Sequence, residues 1–240
     1  MAVAIVGTPA SGLSSAATNT VNITIPSTTA GSALVVSVTG NYLVSSITAT
    51  GATFARKQYS GTASVWTATN VNAGITTVTI NWTGYSAIYW RCVELSGADT
   101  TEAHDTSNVL ANSYNATDLG TGAITTGAAG MAVAIFQDSL VAATGCSAGS
   151  GWTGGTWDNT AKNNHEYRTT LASTGYGGAT GQATGVGSGI TFIGFIVNIK
   201  EAGGSAAVTG TATASITEGD VVAGNKTIIL TLTGDTWIAA

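Results

Sequence analysis

The sequence is poor in charged side chains. Only 8% of its 240 residues are Asp, Glu, Lys or Arg, about a third of the share found in ordinary soluble domains. The 7 basic and 12 acidic residues give a formal net charge of -5 and form no long run of one sign. A nucleic-acid-binding surface needs clustered Lys and Arg, so we expect no nucleic-acid partner.

Long apolar runs and a basic leader are also missing. No segment reaches the roughly 20 apolar residues of a membrane-spanning helix. Residues 1–9 lack the basic region and the apolar run of a cleaved signal peptide. We therefore expect no membrane partner, and we expect the chain to leave the cell on a virus particle that is released by lysis.

Cysteine is scarce. Cys92 lies in an apolar, strand-like segment and Cys146 in a loop rich in Gly and Ser. Two cysteines are too few for a disulfide framework, and a bridge would require their Cα atoms to approach within about 7 Å. We expect two free thiols.

Short strand-like segments make up most of the sequence. Hydrophobic residues account for 44% of it, which is enough apolar surface to offset the entropy of ordering the chain. β-Branched and aromatic residues cluster in brief runs separated by Gly, Asn and Ser, and no window keeps the period of an amphipathic helix for long. The clearest runs are residues 21–25, 34–38, 64–68, 77–82 and 88–95.

A faint internal repeat organises these strands. Residues 31–38 resemble residues 128–135, with Leu34 aligned to Met131. Residues 91–96 resemble residues 195–200 at a slightly longer separation, so the second half carries a small insertion. Each half thus runs from one apolar strand through a variable middle to a closing apolar strand.

Two matched sets of strands fit a sandwich in which neither half buries its apolar face alone. We predict an all-β fold, a jelly-roll-like antiparallel β-sandwich over residues 1–200 with a short C-terminal β extension. Residues 201–207 have the Ala, Gly and Ser composition of a flexible linker.

The C-terminal segment, residues 208–240, predicts two strands joined by a turn-rich stretch. A two-stranded piece is marginally stable alone, so we expect it to dock on the main domain or on a neighbouring subunit. Alternating residues suit edge pairing between chains, which favours a homo-oligomer. The predicted subunit contacts are Ile228, Leu230, Leu232 and Trp237.

Five segments share the strand pattern of a known family: residues 32–38, 64–69, 73–80, 93–99 and 194–200. In these segments the chain resembles a jelly-roll domain that recurs in bacterial extracellular proteins and bacteriophage structural proteins, over roughly residues 20–200. Residues 209–218 and 222–237 look like the first strands of an immunoglobulin-like module common in phage virion proteins. More strands follow in that module, whereas this chain stops at Ala240.

These resemblances imply a non-enzymatic bacteriophage virion structural protein on the particle surface, such as a capsid decoration (cement) or head-fibre protein. Its implied partners are the major capsid protein or other virion subunits. The families carry no catalytic residue that matches a position of this sequence, so we expect no enzymatic activity and no cofactor.

One segment has the composition of a sugar site. Residues 151–168 concentrate aromatic rings, which stack on sugars, among amides and a carboxylate, which hydrogen-bond hydroxyl groups. The alternative function is therefore a lectin-like carbohydrate-binding module of an extracellular or tail protein. The candidate glycan-contacting residues are Trp152, Trp157, Asp158, Asn159, Asn163 and Tyr167.

Two histidines define the candidate chemistry that remains. Glu102, His104 and Asp105 could supply metal ligands. They follow a predicted strand, in a segment that we predict to be a solvated loop, so we predict no metal site. A hydrolase would require His104 or His165 to face a carboxylate across one cleft. No nucleophile elbow accompanies either histidine.

Overall fold

The computed structural model describes residues 2–14, 18–112, 118–138, 143–155, 157–184 and 192–203. Contacts divide the chain into Met1–Ala207 and Val208–Ala240, and every described residue belongs to the first unit. The predicted C-terminal extension, with Ile228, Leu230, Leu232 and Trp237, lies outside the described residues.

The described residues confirm an all-β sandwich and contain no helix; no segment among them forms a helix able to cross a membrane. The repeat found in the sequence divides the strands into two sets. The first set is β1 (Ala4–Ile5), β2 (Ala10–Leu13), β3 (Thr20–Thr24), β4 (Ser32–Gly40), β5 (Val44–Ala49), β6 (Ala52–Ser60), β7 (Ala63–Val71), β8 (Thr77–Trp82) and β9 (Ile88–Ser96).

The first set forms a complete jelly roll, called here the first roll. Its inner sheet has β1 and β2 on β9, followed by β4 and β7, and its outer sheet has the order β3, β8, β5, β6. All of these pairs are antiparallel, and the β6–β7 hairpin joins the two sheets. In this order β9 lies between β1/β2 and β4 in one sheet, and β8 lies between β3 and β5 in the other, which is the order of a jelly roll.

The second set comprises β10 (His104–Asn112), β11 (Asp118–Gly120), β12 (Ile124–Thr125), β13 (Gly130–Asp138), β14 (Gly145–Ser147), β15 (Thr153–Gly154), β16 (Asn163–Thr170), β17 (Gly175–Tyr176), β18 (Thr180–Thr184) and β19 (Phe192–Lys200). Its inner sheet has the order β10, β19, β13, β16, β15, and its outer sheet has the order β11, β18, β14. The β12–β17 pair continues the β11–β18 ladder in the same register. This second roll therefore repeats the strand order of the first.

The apolar interior has three layers, one inside each roll and one between the two rolls. The first roll has its own core, which includes Leu34, Val36 and Trp66, and the second roll has a smaller core around Phe136 and Phe192. Between the rolls the two inner sheets pack face to face, and we call this shared layer the seam. It is formed by Val3, Ala33, Val35, Ala63, Val65, Val93, Leu95, Ala98, Ala103, Met131, Val133, Ile135, Ile193, Phe195, Val197 and Ile199.

The seam changes the interpretation of the repeat. We predicted from the sequence one sandwich built from both halves. In the structure each half forms a roll with sheets of its own. The alignment of Leu34 with Met131 is off by one residue, because Leu34 lies in the first core and Met131 in the seam. Val35 is the equivalent of Val133, since they pair with Val93 and Val197 respectively. A strand that is buried on both faces carries apolar residues on both. Alternation along the sequence therefore cannot show which of its residues face the seam.

Both cysteines are free, as predicted. Cys92 is buried in the core of the first roll, and Cys146 packs against the core of the second roll. Burial, with the nearby Glu94 carboxylate, raises the pKa of the Cys92 thiol to about 12. Burial also raises the pKa of Cys146, to about 11.

Candidate ligand-binding cleft

An open cleft lies at the rim of the seam, where the two rolls meet. Its volume is about 470 Å³, within the range of small-molecule sites. Tyr167 and Ile5 both line it and pack against the seam core. The first roll supplies one wall and the second roll the other; the lining residues are Ile5, Gly7, Thr8, Pro9, Ser11, Arg91, Gly154, Gly155, Trp157, Asp158, Asn159, His165 and Tyr167.

Strand pairing sets which side chains enter the cleft from each roll. On the first roll Ser11 of β2 lies opposite Arg91 of β9, so both side chains project from the seam face of the sheet. On the second roll His165 and Tyr167 alternate along β16 and lie opposite Ile135 and Val133 of the seam. The loop after β15 completes the second wall with Trp157, Asp158 and Asn159.

Arg91 is the buried link between the two walls. It is 3% exposed, and its Nε donates a 2.6 Å hydrogen bond to Oδ1 of Asn163 on β16. Its Nη2 donates to the Asn163 carbonyl at 3.3 Å, and Nη1 lies 2.9 Å from Nδ1 of His165. Burial lowers the pKa of Arg91 to about 10, against the opposing effect of Asp158, so the guanidinium stays charged at neutral pH.

His165 is a neutral ring in this setting. Arginine has only donor groups, so Nδ1 of His165 must accept the hydrogen bond from Arg91. Burial and the positive charge of Arg91 lower the pKa of His165 to about 3. Gly155 covers one face of the ring, because a Cβ at this position would collide with the imidazole, and its N–H donates to the His165 carbonyl at 2.7 Å.

Asp158 ties the second roll to the first. Its Oδ2 accepts a 2.5 Å hydrogen bond from the Ser11 hydroxyl, which crosses between the rolls. Its Oδ1 accepts from the N–H groups of Thr160 and Ala161 at 2.7 and 2.9 Å. Burial would raise the pKa of Asp158, but these hydrogen bonds and the charge of Arg91 outweigh it and lower the pKa.

The cleft brings together four of the six residues predicted as sugar contacts: Trp157, Asp158, Asn159 and Tyr167. Asn163 is fully buried behind it, where its Nδ2 donates to the Trp90 carbonyl at 3.0 Å. Trp152 does not line the cleft; it packs against the cores of the second roll under the Arg168 guanidinium, which lies 5.5 Å from its ring.

The wall from the first roll has no signal in the local sequence that connects it to the predicted sugar-contacting segment. Ser11 and Arg91 precede the predicted sugar-contacting segment by many residues, and no local motif connects them to it. One feature of the sequence does mark Arg91: it is a cation inside an apolar run, between Trp90 and Cys92. A buried charge of this kind requires a polar partner, although the sequence does not say which.

The other histidine lies in a structural setting. His104 contacts the Ser107 hydroxyl at 3.1 Å, and burial together with Lys57 lowers its pKa to about 4. Asp105 accepts hydrogen bonds from the Gly127 N–H and the Asn198 amide, both at 2.9 Å. Across the described ranges no group of three or more His, Cys, Asp or Glu side chains could hold a metal ion.

The cleft chemistry favours binding over proton transfer. His165 and Asp158 do face the same cleft, the geometry that a hydrolase would require. A general base works best when its pKa lies near the working pH, whereas both groups have lowered pKa values. At neutral pH the cleft offers a neutral imidazole, a carboxylate that already accepts three hydrogen bonds, an amide and two aromatic rings.

Comparison of the chain with protein-family models, with curated proteins and with solved structures finds no match in any of the three.

Proposed function

We propose that this chain is a non-enzymatic binding protein that holds a neutral saccharide in the cleft at the seam. The observation that carries the proposal is the convergence of Trp157 and Tyr167 with the polar groups of Asp158, Asn159 and His165 on one cleft. Aromatic faces contact the C–H faces of sugar rings, and amides, carboxylates and N–H groups bind their hydroxyls.

The charges in the cleft favour an uncharged ligand. Arg91 and Asp158 carry opposite charges and are the only charged side chains among its lining residues. Arg91 is bound to Asn163 behind the wall and to Nδ1 of His165. The Asp158 carboxylate is held by Ser11 and two backbone N–H groups. A neutral hexose or short oligosaccharide therefore suits this cleft better than an acidic sugar.

The test is binding to a glycan array with Trp157→Ala as the variant. We expect the substitution to weaken binding at least about tenfold, because a stacked aromatic ring supplies much of the affinity of such a site. Tyr85→Ala is the matched control, since Tyr85 is 73% exposed and lies outside the cleft. Absence of any glycan binding by the folded wild-type protein, or equal loss in both variants, would contradict the proposal.

A second candidate function is the virion structural role implied by the family resemblance. The outer sheet of the first roll favours it, because its solvent side is a neutral grid on strands β3, β5 and β8. Cross-strand bonds order the grid: Thr20 donates to Asn81 and Thr79 to Asn22, each at 2.8 Å. Its outward side chains are Thr20, Asn22, Thr24, Ser46, Thr48, Thr77, Thr79 and Asn81.

Among the described strands, β3 lies at the end of that sheet. It carries neither the charges nor the proline that guard exposed edges. In this function the protein is a homo-oligomer on a bacteriophage surface, a capsid decoration or head-fibre protein bound to the major capsid protein or another virion subunit. Mass spectrometry of purified particles tests it: a fixed, high copy number is expected, and absence from particles contradicts it.

A further inference from the structure

The two nitrogens of the His165 ring have different surroundings. Nδ1 lies 2.9 Å from Nη1 of Arg91 and must act as the acceptor there. The hydrogen of the neutral ring is therefore on Nε2. Within the part of the chain that the structure describes, Nε2 has no hydrogen-bond partner and is not among the buried unsatisfied atoms. His165 lines the cleft, so this N–H is available to a ligand.

Arg91 is itself fixed, so the hydrogen bond to His165 is preorganised. Two of its nitrogens bind the side chain and the carbonyl of Asn163, and the Asn163 amide binds back to the Trp90 carbonyl beside Arg91. The guanidinium is thereby clamped across the seam before any ligand arrives. A donor held in this way costs no ordering entropy upon binding.

We infer that Arg91 is a positioning residue that holds His165 as a neutral Nε2–H donor, through which the cleft binds an acceptor oxygen of its ligand. The inference rests on the proposed function, in which that oxygen is a hydroxyl or carbonyl oxygen of a neutral saccharide. Arg91 acts through His165 and not by its own contact with the sugar.

The groups around His165 keep it in this state over a wide pH range. Arg91 of β9 opposes a second positive charge, Tyr167 of β16 stacks on the ring at 6.4 Å between centroids, and the Asp158 carboxylate of the cleft loop is engaged by Ser11. Protonation of Nδ1 would break the hydrogen bond to Arg91 and place two cations in contact. Ligand affinity should therefore not change between pH 5 and pH 8.

The first test needs no ligand. Nitrogen-15 NMR of the wild-type protein should show His165 with a protonated Nε2 and a bare Nδ1 throughout pH 5–8. Arg91→Met keeps a long side chain but removes its N–H donors. In this variant Nδ1 of His165 loses its partner, and the pKa of His165 should rise toward its ordinary value. A wild-type His165 with the hydrogen on Nδ1, or one that titrates near pH 6.5, would overturn the inference even if the Arg91 variant failed to fold.

The second test uses calorimetry with cellotriose and triacetylchitotriose as probes. His165→Leu removes the donor and should weaken binding about tenfold, the effect of one lost hydrogen bond. His165→Gln places an amide N–H near the position of Nε2 and should bind within about threefold of the wild type, a rescue that a packing role would not give.

The outcomes separate the two proposals. Binding that is lost in Trp157→Ala but unchanged in His165→Leu would overturn this inference and leave the saccharide site standing. If neither trisaccharide binds but a glycan on the array does, that glycan is the calorimetric probe, and equal affinity of His165→Leu and the wild type for it would overturn the inference. A negative array together with the predicted tautomer would overturn the saccharide site and its recognition by His165.

Discussion

Strand β16 presents polar side chains on both of its faces. Asn163, His165 and Tyr167 face the seam and the cleft, so the intervening Asn164 and Glu166 face the interior of the second roll. Glu166 is fully buried; its Oε2 accepts a 2.9 Å hydrogen bond from the Gly149 N–H, and its Oε1 has no partner among the described residues. Burial raises the pKa of Glu166 from 4.5 to about 7.

Glu166→Gln should change how stability depends on pH. The pKa of Glu166 is higher in the folded than in the unfolded protein, so the folded state binds more protons between about pH 4.5 and pH 7. The free energy of unfolding therefore falls as pH rises through this window and is level above it. The neutral glutamine removes this fall. Between pH 5 and pH 8 the free energy of unfolding of the variant should therefore gain about 1–3 kcal/mol on that of the wild type.

Denaturant unfolding at pH 5 and pH 8 measures this difference. Glu102→Gln, which removes an acidic side chain from an exposed position, is the control, and the fall in the free energy of unfolding should persist in it. An identical fall in wild type and Glu166→Gln would mean that Glu166 is ionised at no cost in the folded protein.

Neighbours along the chain can be placed together from the sequence alone. Trp157, Asp158 and Asn159 lie within three consecutive positions, and all three line the cleft. Asn163 has the same composition signal but is buried behind the wall, bound to Arg91. Asn163 shares its face of β16 with His165 and Tyr167. Its place behind the wall depends on the long-range contact with Arg91, which alternation along the strand does not predict.

At the scale of elements, close approach of strands limits side-chain size. Gly178 lies between β17 and β18, where the Thr121 N–H donates to the Ala179 carbonyl at 3.0 Å and the Thr121 hydroxyl accepts from the Ala179 N–H at 2.8 Å. A Cβ on Gly178 would collide with the Thr121 carbonyl oxygen, whereas a Cβ on the neighbouring Gly177 would meet nothing within 4 Å. The two glycines are adjacent in sequence but have different roles.

Gly178→Ala should therefore destabilise the protein by about 1–3 kcal/mol, the usual cost of forcing atoms into a filled space. Gly177→Ala is the matched control and should be neutral or slightly stabilising, because alanine narrows the unfolded ensemble. Thermal unfolding of both variants measures the contrast. Equal melting temperatures for the two would contradict the close approach of these strands.

At the scale of the whole molecule, the seam makes the two rolls one folding unit. Each inner sheet has an apolar face that the other roll covers, and exposure of a patch of that size is unfavourable in water. Polar bonds cross the same boundary, from Arg91 to Asn163 and from Ser11 to Asp158. Neither roll should remain folded when the other opens.

Phe195→Ala tests this coupling, with the two free cysteines as reporters. Phe195 of the second roll lies in the seam and is 1% exposed, so its truncation should cost about 3–5 kcal/mol. Cys92 reports opening of the first roll and Cys146 opening of the second. Thiol-labelling rates, measured in single-cysteine variants, should rise for both sites. A rise for Cys146 alone would show that the rolls unfold independently, and Tyr85→Ala should change neither rate.

The sequence by itself determined that this chain is an all-β protein with little charge and a local cluster of aromatic and amide side chains. Those properties follow from composition and from short-range alternation, and both are present within a single segment. Only the tertiary structure decided that each repeat closes into its own roll, which face of β4 and β13 enters the seam, and that Arg91 meets His165 at the rim of the cleft. These depend on contacts between distant segments, and strands that are apolar on both faces carry no local signal of which face meets which partner.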